Sequence, residues 1–258
     1  MAYRFTDTHC HIHEVDYPDA EAAYQRALDA GVSRMVVVGT GLASSIDAVR
    51  FALAHTHAWA AIGIHPHETA REGDRIGELR IMLQEAATDP TSRVVAIGEI
   101  GLDYYYNHSP KEVQIRALRE QIELAISYEL PIIFHVREAF DDFWPIFDSY
   151  EGLRGVLHSY TDNLSNLDKA LSRGLLIGVN GIATFAGDKS ESYRAIPLSR
   201  MLLETDAPFL TPHPHRGTVN EPALLQHVAQ SIANLQSINL EELSRVTEAS
   251  ATELLNLK

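Results

Sequence analysis

Cysteine, positive charge and long apolar runs are all scarce in this chain, and each scarcity narrows what the protein can be. Cysteine occurs once, as Cys10. A lone thiol excludes an internal disulfide framework and fits a reducing compartment, so the cytoplasm is the expected location. Against 35 aspartates and glutamates stand only 21 lysines and arginines, a net charge of −14 with histidine neutral. A protein that holds nucleic acid by broad phosphate neutralisation carries a basic patch or stripe, and no lysine/arginine cluster occurs here. Tight duplex binding is therefore disfavoured. A nuclease that grips its substrate locally, with metal ions and a few arginines, is not excluded. No apolar run approaches the ~18 residues that span a bilayer. The N-terminus goes directly into a strand pattern, without the apolar core and cleavage site of a signal peptide. Nothing in the sequence points to a membrane or to a protein partner.

What is present is an alternation of short β-branched runs and longer helical stretches. Strands are predicted at 3–8, 33–38, 58–64, 93–98, 131–135, 155–158, 175–179 and 201–204. Helices are predicted at 19–30, 42–55, 76–87, 110–128, 139–149, 164–172 and 222–234. Gly31 is a stop signal for the first helix, and Asn239 is a plausible N-cap for a last one over 240–256. The strands read as continuous apolar runs, as expected when helices cover the sheet. No linker, low-complexity segment or long charge run interrupts the pattern. Eight βα units in this length predict an α/β fold, a TIM-type (β/α)8 barrel forming a single domain over 1–258, with an extra C-terminal helix.

Histidines and carboxylates recur where these predicted strands run out: His9-Cys10-His11, Glu99, His135, His158 and Asp206. In a barrel of this kind the reactive groups gather at the C-terminal strand ends. Imidazole and carboxylate are ligand types that zinc, manganese and magnesium accept. Unrelated positions have no reason to recur at one end of successive strands, so a shared metal centre is expected. His9 and His11 have the parity to point to one face, with Cys10 turned the other way as a buried apolar residue. Asp7 shares their face and is a candidate to orient a ligand imidazole. His13 is expected to be exposed beyond the strand end. A carboxylate such as Glu99 can bridge two cations. Asp206 can ligate a metal while accepting a proton from the attacking water. Glu204, of the same parity, is either its orienting partner or half of an internal salt bridge.

Taken together, His-Cys-His at 9–11, Gly-Ile-His-Pro-His at 63–67, Gly-Glu-Ile-Gly-Leu-Asp-Tyr at 98–104, Phe-His-Val-Arg at 134–137, Leu-His-Ser-Tyr at 157–160, Glu-Thr-Asp-Ala-Pro at 204–208 and Arg-Gly-Thr-Val-Asn-Glu-Pro at 216–222 resemble the TatD family of metal-dependent deoxyribonucleases. The resemblance covers nearly the whole chain, in order. It implies an amidohydrolase-like barrel with two divalent metals, Mg, Mn or Zn. One would be held by His9, His11, Glu99 and Asp206, the other by Glu99, His135 and His158, with Glu99 bridging. It also implies degradation of DNA from the 3′ end. Two departures stand out. Thr218 and Val219 occupy positions where the family commonly has Lys and Arg, and His13 replaces the aspartate usual in the first motif.

Around the expected metals, Arg137 and Arg216 are candidate clamps for phosphate or carboxylate. His65 and His67, stiffened by Pro66 between them, are candidate contacts to substrate or leaving group. Tyr104, Tyr105 and Tyr106 offer rings for stacking on unpaired bases, Tyr104 being the one assigned to substrate, although three in a row cannot all face one ligand. Asp103 is read as a loop cap. The expected function is a two-metal hydrolase trimming single-stranded DNA ends, with Asp206 and Glu99 catalytic. The alternative is a hydrolase of carboxylic esters or amides on the same centre, such as an aminoacyl-tRNA deacylase or a lactonase. The acidic charge and the missing basic pair favour that alternative. A non-catalytic scaffold is a further possibility, opposed by the complete ligand set.

Overall fold

The structure is a computed structural model and describes residues 3–106, 108–187 and 190–257. It has two compact units, Met1–Val37 with His158–Lys258, and Val38–Leu157.

In the first unit, β1 (Phe5–Cys10) leads through α1 (Ala20–Asp29) to β2 (Val32–Val38), which pairs with it in parallel. The chain returns at α7 (Leu164–Ser172), β7 (Leu176–Val179), α8 (Ser190–Ala195) and β8 (Met201–Leu203), and β7 pairs in parallel with β8. Helices α9 (Leu225–Gln236) and α10 (Leu240–Leu255) close it. The side chains of Asp19, Asn163 and Asn239 cap α1, α7 and α10, each accepting from a backbone amide of the first turn. Gly31, past the end of α1, has φ 87°, a left-handed turn that glycine adopts without a Cβ clash.

The second unit holds α2 (Leu42–Ala54), β3 (Ala58–Ile62), the short α3 (Thr69–Glu72), α4 (Ile76–Thr88), β4 (Val94–Asp103), α5 (Lys111–Ser127), β5 (Ile132–Arg137), α6 (Phe140–Phe147) and β6 (Gly155–Leu157). Strands β3 to β6 pair in parallel, each with the next. Ile62, Ile97, Ile100, Leu102 and Phe134 are fully buried, with Leu79 and Phe143 from the helices equally inaccessible. The continuous apolar pattern of the strands thus corresponds to burial, as the sequence predicts.

One expectation about local structure needs correction. β4 does not stop at 98 but continues to Asp103, so Glu99 lies inside the strand. A register shift against β5 between Ile97 and Ile100 marks a bulge there, the device that re-aims a side chain without ending a strand. The run after β3, which carries no simple helical pattern in the sequence, folds into 3-10 and α turns spanning Pro66–Glu68, Thr69–Glu72 and Gly73–Arg75.

Helix α5 positions the ends of β3 and β4. Gln114 and Gln121, seven residues apart, share one face and are both buried. The Gln121 amide accepts from Ile64 N–H at 2.7 Å and donates to Ile64 C=O at 3.1 Å. Gln114 does the same for Asp103, at 2.8 and 3.0 Å. Gln121→Leu keeps the volume but leaves both polar groups of Ile64 without these partners. At about 1–3 kcal/mol for each buried unsatisfied group, we expect about 2–5 kcal/mol of lost stability in urea denaturation. An unchanged midpoint would remove this role from α5.

Candidate metal centre

Among the described residues, three groups of donor atoms, two sharing His9 in the first unit and one in the second, have the spacing of ligands around a cation. In the first unit, His9 Nε2 and His11 Nε2 are 3.1 Å apart, and both face Asp206 Oδ1, at 3.6 and 3.4 Å. Four ligands about 2.1 Å from a tetrahedral ion would sit about 3.4 Å from one another, so the triangle fits one ion. His9 and His11 converge as expected, although regular alternation is not the cause. β1 carries a register shift against β2 between Asp7 and Cys10, and His11 lies beyond the strand, its N–H donating to Ala207 C=O. Asp206 N–H donates to His9 C=O, and Asp206 takes φ 59°, a left-handed conformation that aspartate tolerates better than most residues.

Burial alone would raise the Asp206 carboxyl. The hydrogen bond from His11 and the imidazoles of His158 and His9 outweigh it and hold the group below the ordinary carboxylate value. Asp206 therefore stays an anion, as a ligand must be.

His158 follows β6 and stacks on His9, centroids 3.8 Å apart and planes at 19°. Its Nδ1 lies 3.2 Å from Glu204 Oε1, and Glu204 also accepts from Ser159 N–H at 2.6 Å. Glu204 thus lies beside His158 rather than Asp206. His9, His158 and Glu204 form a third set of neighbouring donors. Asp7 does not meet an imidazole. Its carboxylate accepts from His9 N–H and from the N–H and hydroxyl of Thr205, tying β1 to the chain just before Asp206. Burial pushes this carboxyl up to about 7 against those hydrogen bonds. Cys10 is buried, with its thiol towards Val36 C=O.

His13 is the second correction. Only 8 % of it is accessible. The chain turns back on itself directly after β1, Glu14 N–H donating to His11 C=O and Tyr17 N–H to Glu14 C=O, and this turn carries the imidazole inward.

In the second unit, His65, Glu99 and His135 are the clustered donors. Glu99 Oε1 lies 2.7 Å from His135 Nδ1 and 3.5 Å from His65 Nε2. His65, read from the sequence as a substrate contact, is thus brought among the ligand candidates. Its burial, opposed by the nearby Glu99 charge, pushes its pKa down to about 4, so its lone pair is available at neutral pH.

Asp103 is the residue that sequence reasoning undervalued. It is fully buried. One oxygen accepts from Tyr105 and Tyr106 N–H, the capping role expected. The other meets His67 Nε2 at 2.9 Å and His135 Nε2 at 3.0 Å. Burial acts to raise its carboxyl, but the hydrogen bonds from His135 and His67 hold it far below the ordinary range. Both ring nitrogens of His135 thus face carboxylate oxygens, Nε2 that of Asp103 and Nδ1 that of Glu99, and ligation through Nδ1 would require the proton on the Asp103 side. The sequence signal was the four-residue spacing from Glu99 along a strand that proved longer than predicted.

The remaining candidates lie on the rims of their units. Arg137 stacks over Tyr105 and Tyr106, 4.1 and 4.7 Å from the ring centroids. Both of those rings are about half exposed. Tyr104 is the packing member of the three: its hydroxyl donates to Asp142 at 2.8 Å and Lys111 sits over its ring. Arg216 lies over Phe185 at 3.7 Å and borders a cavity of about 460 Å³ lined also by Ile182, Leu210 and Thr218.

Element order and these donor sets define a metal-dependent hydrolase of the (β/α)8 class. Comparison with known proteins agrees. The family model for TatD-related DNases matches residues 6–256. The chain is 36% identical over 256 residues to the uncharacterized metal-dependent hydrolase YabD of Bacillus subtilis, covering 97% of this chain and 98% of that protein. It is 35% identical over 249 residues to the 3′-5′ ssDNA/RNA exonuclease TatD of Erwinia tasmaniensis, covering 93% and 94%. Among solved structures, the TatD homologue YjjV of Escherichia coli superposes with a TM-score of 0.92 at 29% identity, over 100% of both chains. The chain belongs to the TatD-related DNase family and has its barrel fold. Among the described residues no helix is long and apolar enough to cross a membrane.

Removing the Asp103 carboxylate frees the His135 ring to take the other tautomer. Asp103→Ala should weaken Zn²⁺ or Mn²⁺ binding to metal-stripped protein by about 10–100-fold, read by calorimetry. Equal affinity in the two proteins would show that Asp103 only caps its loop.

Proposed function

We propose that this protein is a two-metal phosphodiesterase that trims single-stranded DNA from the 3′ end. His9, His11, Glu99, His135, His158 and Asp206 would be ligands to two divalent ions, in the partition the family resemblance implies, with His65 a further candidate. The observation that carries this reading is the set of donor groups at ligand spacing. The name of the Erwinia relative, a 3′-5′ ssDNA/RNA exonuclease, supports the substrate class.

Bound divalent ions would supply Lewis acidity, lowering the pKa of water and neutralising charge on the phosphate. The chain's own groups do the rest. Asp206, held ionised, accepts the proton of the attacking water. Asp103 fixes the rings of His67 and His135, and His67 faces the leaving group as proton donor. Arg137 and Arg216 hold non-bridging oxygens. The exposed faces of Tyr105 and Tyr106, backed by Arg137, stack on unpaired bases, each worth about 1–3 kcal/mol.

A second reading, hydrolysis of a carboxylic ester such as an aminoacyl ester on transfer RNA, is favoured by one observation. Thr218 and Val219 stand where a basic pair is usual, and Val219 and Phe209 are exposed apolar side chains of the same unit.

The direct test is hydrolysis of a 5′-labelled single-stranded oligonucleotide by metal-stripped protein to which Mg²⁺, Mn²⁺ or Zn²⁺ is returned. A ladder shortening from the 3′ end is expected, slowed by about 10²–10⁴-fold or more in Glu99→Ala and Asp206→Ala. Ester cleavage without nucleotide release would support the second reading instead. If Arg137 and Arg216 are the only cations on the strand, binding should also be weakly salt-dependent. A slope of about −1.4 in log K against log salt is expected, from about −0.7 per phosphate contact. A slope several times steeper would place further basic residues on the DNA.

A further inference from the structure

Two histidines outside these donor groups approach each other as closely as His9 and His11 do. His215 lies on the loop after β8 and His227 near the start of α9, and their Nε2 atoms are 3.1 Å apart. The ring centroids are 4.8 Å apart with planes at 56°, so the rings meet through these nitrogen edges rather than by stacking. Two nitrogens each about 2.05 Å from one ion and 3.1 Å from each other would subtend about 100° at the metal, between the octahedral and tetrahedral values. Chelation therefore needs no rearrangement of either ring.

The two positions are also held in place. The His215 carbonyl accepts from the N–H and the hydroxyl of Thr218, and its N–H donates to Pro212 C=O, which closes the loop on itself. His227 is in the first turn of a regular twelve-residue helix. The cation between them in sequence, Arg216, sits over Phe185. Both rings reach solvent, so water can complete the coordination sphere.

We propose that His215 and His227 form a separate metal site, selective for borderline transition-metal ions (Zn²⁺, Ni²⁺ or Cu²⁺) over Mg²⁺. Imidazole favours these ions, whereas Mg²⁺ prefers oxygen. Partial burial, and then the neighbouring His215 ring, hold the His227 imidazole below its ordinary pKa, which keeps its lone pair free near neutrality. A bound ion cross-links the loop that carries Arg216 to α9. It is thus a clamp on a segment bordering the cavity described above, distinct from the groups assigned to hydrolysis.

The experiment counts metal rather than turnover, so its result is independent of whether the hydrolase reading holds. Metal-stripped full-length protein, His227→Gln and His215→Gln are each titrated with Zn²⁺ and with Mg²⁺ by calorimetry, with circular dichroism confirming the fold. The wild-type protein should take up one more equivalent of Zn²⁺ than either variant. Its thermal midpoint should rise with Zn²⁺ beyond the rise seen in the variants, because an ion bound only to the folded state stabilises it. Mg²⁺ should bind all three proteins alike. With Cu²⁺, the wild-type paramagnetic spectrum should gain a component with two nitrogen ligands that His227→Gln lacks. Equal Zn²⁺ equivalents in wild type and variants would overturn the proposal and leave the pair as two rings sharing a proton. Loss in one variant but not the other would overturn it as well, since chelation needs both rings.

Discussion

Where a strand stops, its last amides and carbonyls lose the neighbour that satisfied them, and in this protein buried side chains take over that task. Asp7 accepts from His9 N–H and Thr205 N–H. Ser45 closes both polar groups of Gly63, Gln121 those of Ile64 and Gln114 those of Asp103. Glu204 accepts from Ser159 N–H, and Asn220 donates to Thr205 C=O. Each of these backbone positions carries, or lies within two residues of, His9, His65, Asp103, His158 or Asp206. The ligand candidates are therefore fixed through their own main chain before any metal contributes. Holding a constellation to within about half an ångström requires support of this kind.

That arrangement concentrates carboxyl groups in places from which water is excluded. Asp7, Glu99, Asp103 and Glu204 are all at most 3 % accessible. Glu99 is faced by His65 and His135, Asp103 by His67 and His135, and Asp206 by His9 and His11. An imidazole balances a carboxylate only when protonated, and His65 is held neutral down to about pH 4. Isolated buried anions are costly unless paired or coordinated to a metal. Divalent ions held by these groups would relieve that cost while leaving the imidazoles neutral, which is the state that ligation requires.

Much of the fold was legible because its signal is periodic and local. Apolar runs of strand length, separated by amphipathic stretches with recognisable caps such as Asn239, placed the strands and long helices within a few residues. Candidate ligand positions stood out because they recur at predicted strand ends. The features that escaped have non-local causes. The inward turn of His13 depends on backbone hydrogen bonds formed only after β1 has been placed. The extension of β4 to Asp103 depends on pairing with β5, through Asp103 against Arg137. Gln114 and Gln121 read as two polar residues on a helix, and nothing in their own neighbourhood tells that they face strand-end backbone. Asp103 was visible as a loop cap, but its second oxygen acquires its role only when His67 and His135 arrive from other elements.

Thr218 and Val219, where the resemblance leads one to expect a basic pair, change the surface chemistry of this loop. Thr218 donates its hydroxyl to His215 C=O and its own carbonyl accepts from Thr211, so its side chain is engaged in closing the loop. Val219 instead presents an apolar side chain to solvent, as does Phe209, whose ring lies 6.3 Å from that of His11. Attraction for a phosphate chain falls with each basic contact removed, whereas stacking on an aromatic face is indifferent to salt and to base identity. On the proposed single-strand reading, the loop with Thr218 and Val219 would offer apolar contact in place of charge.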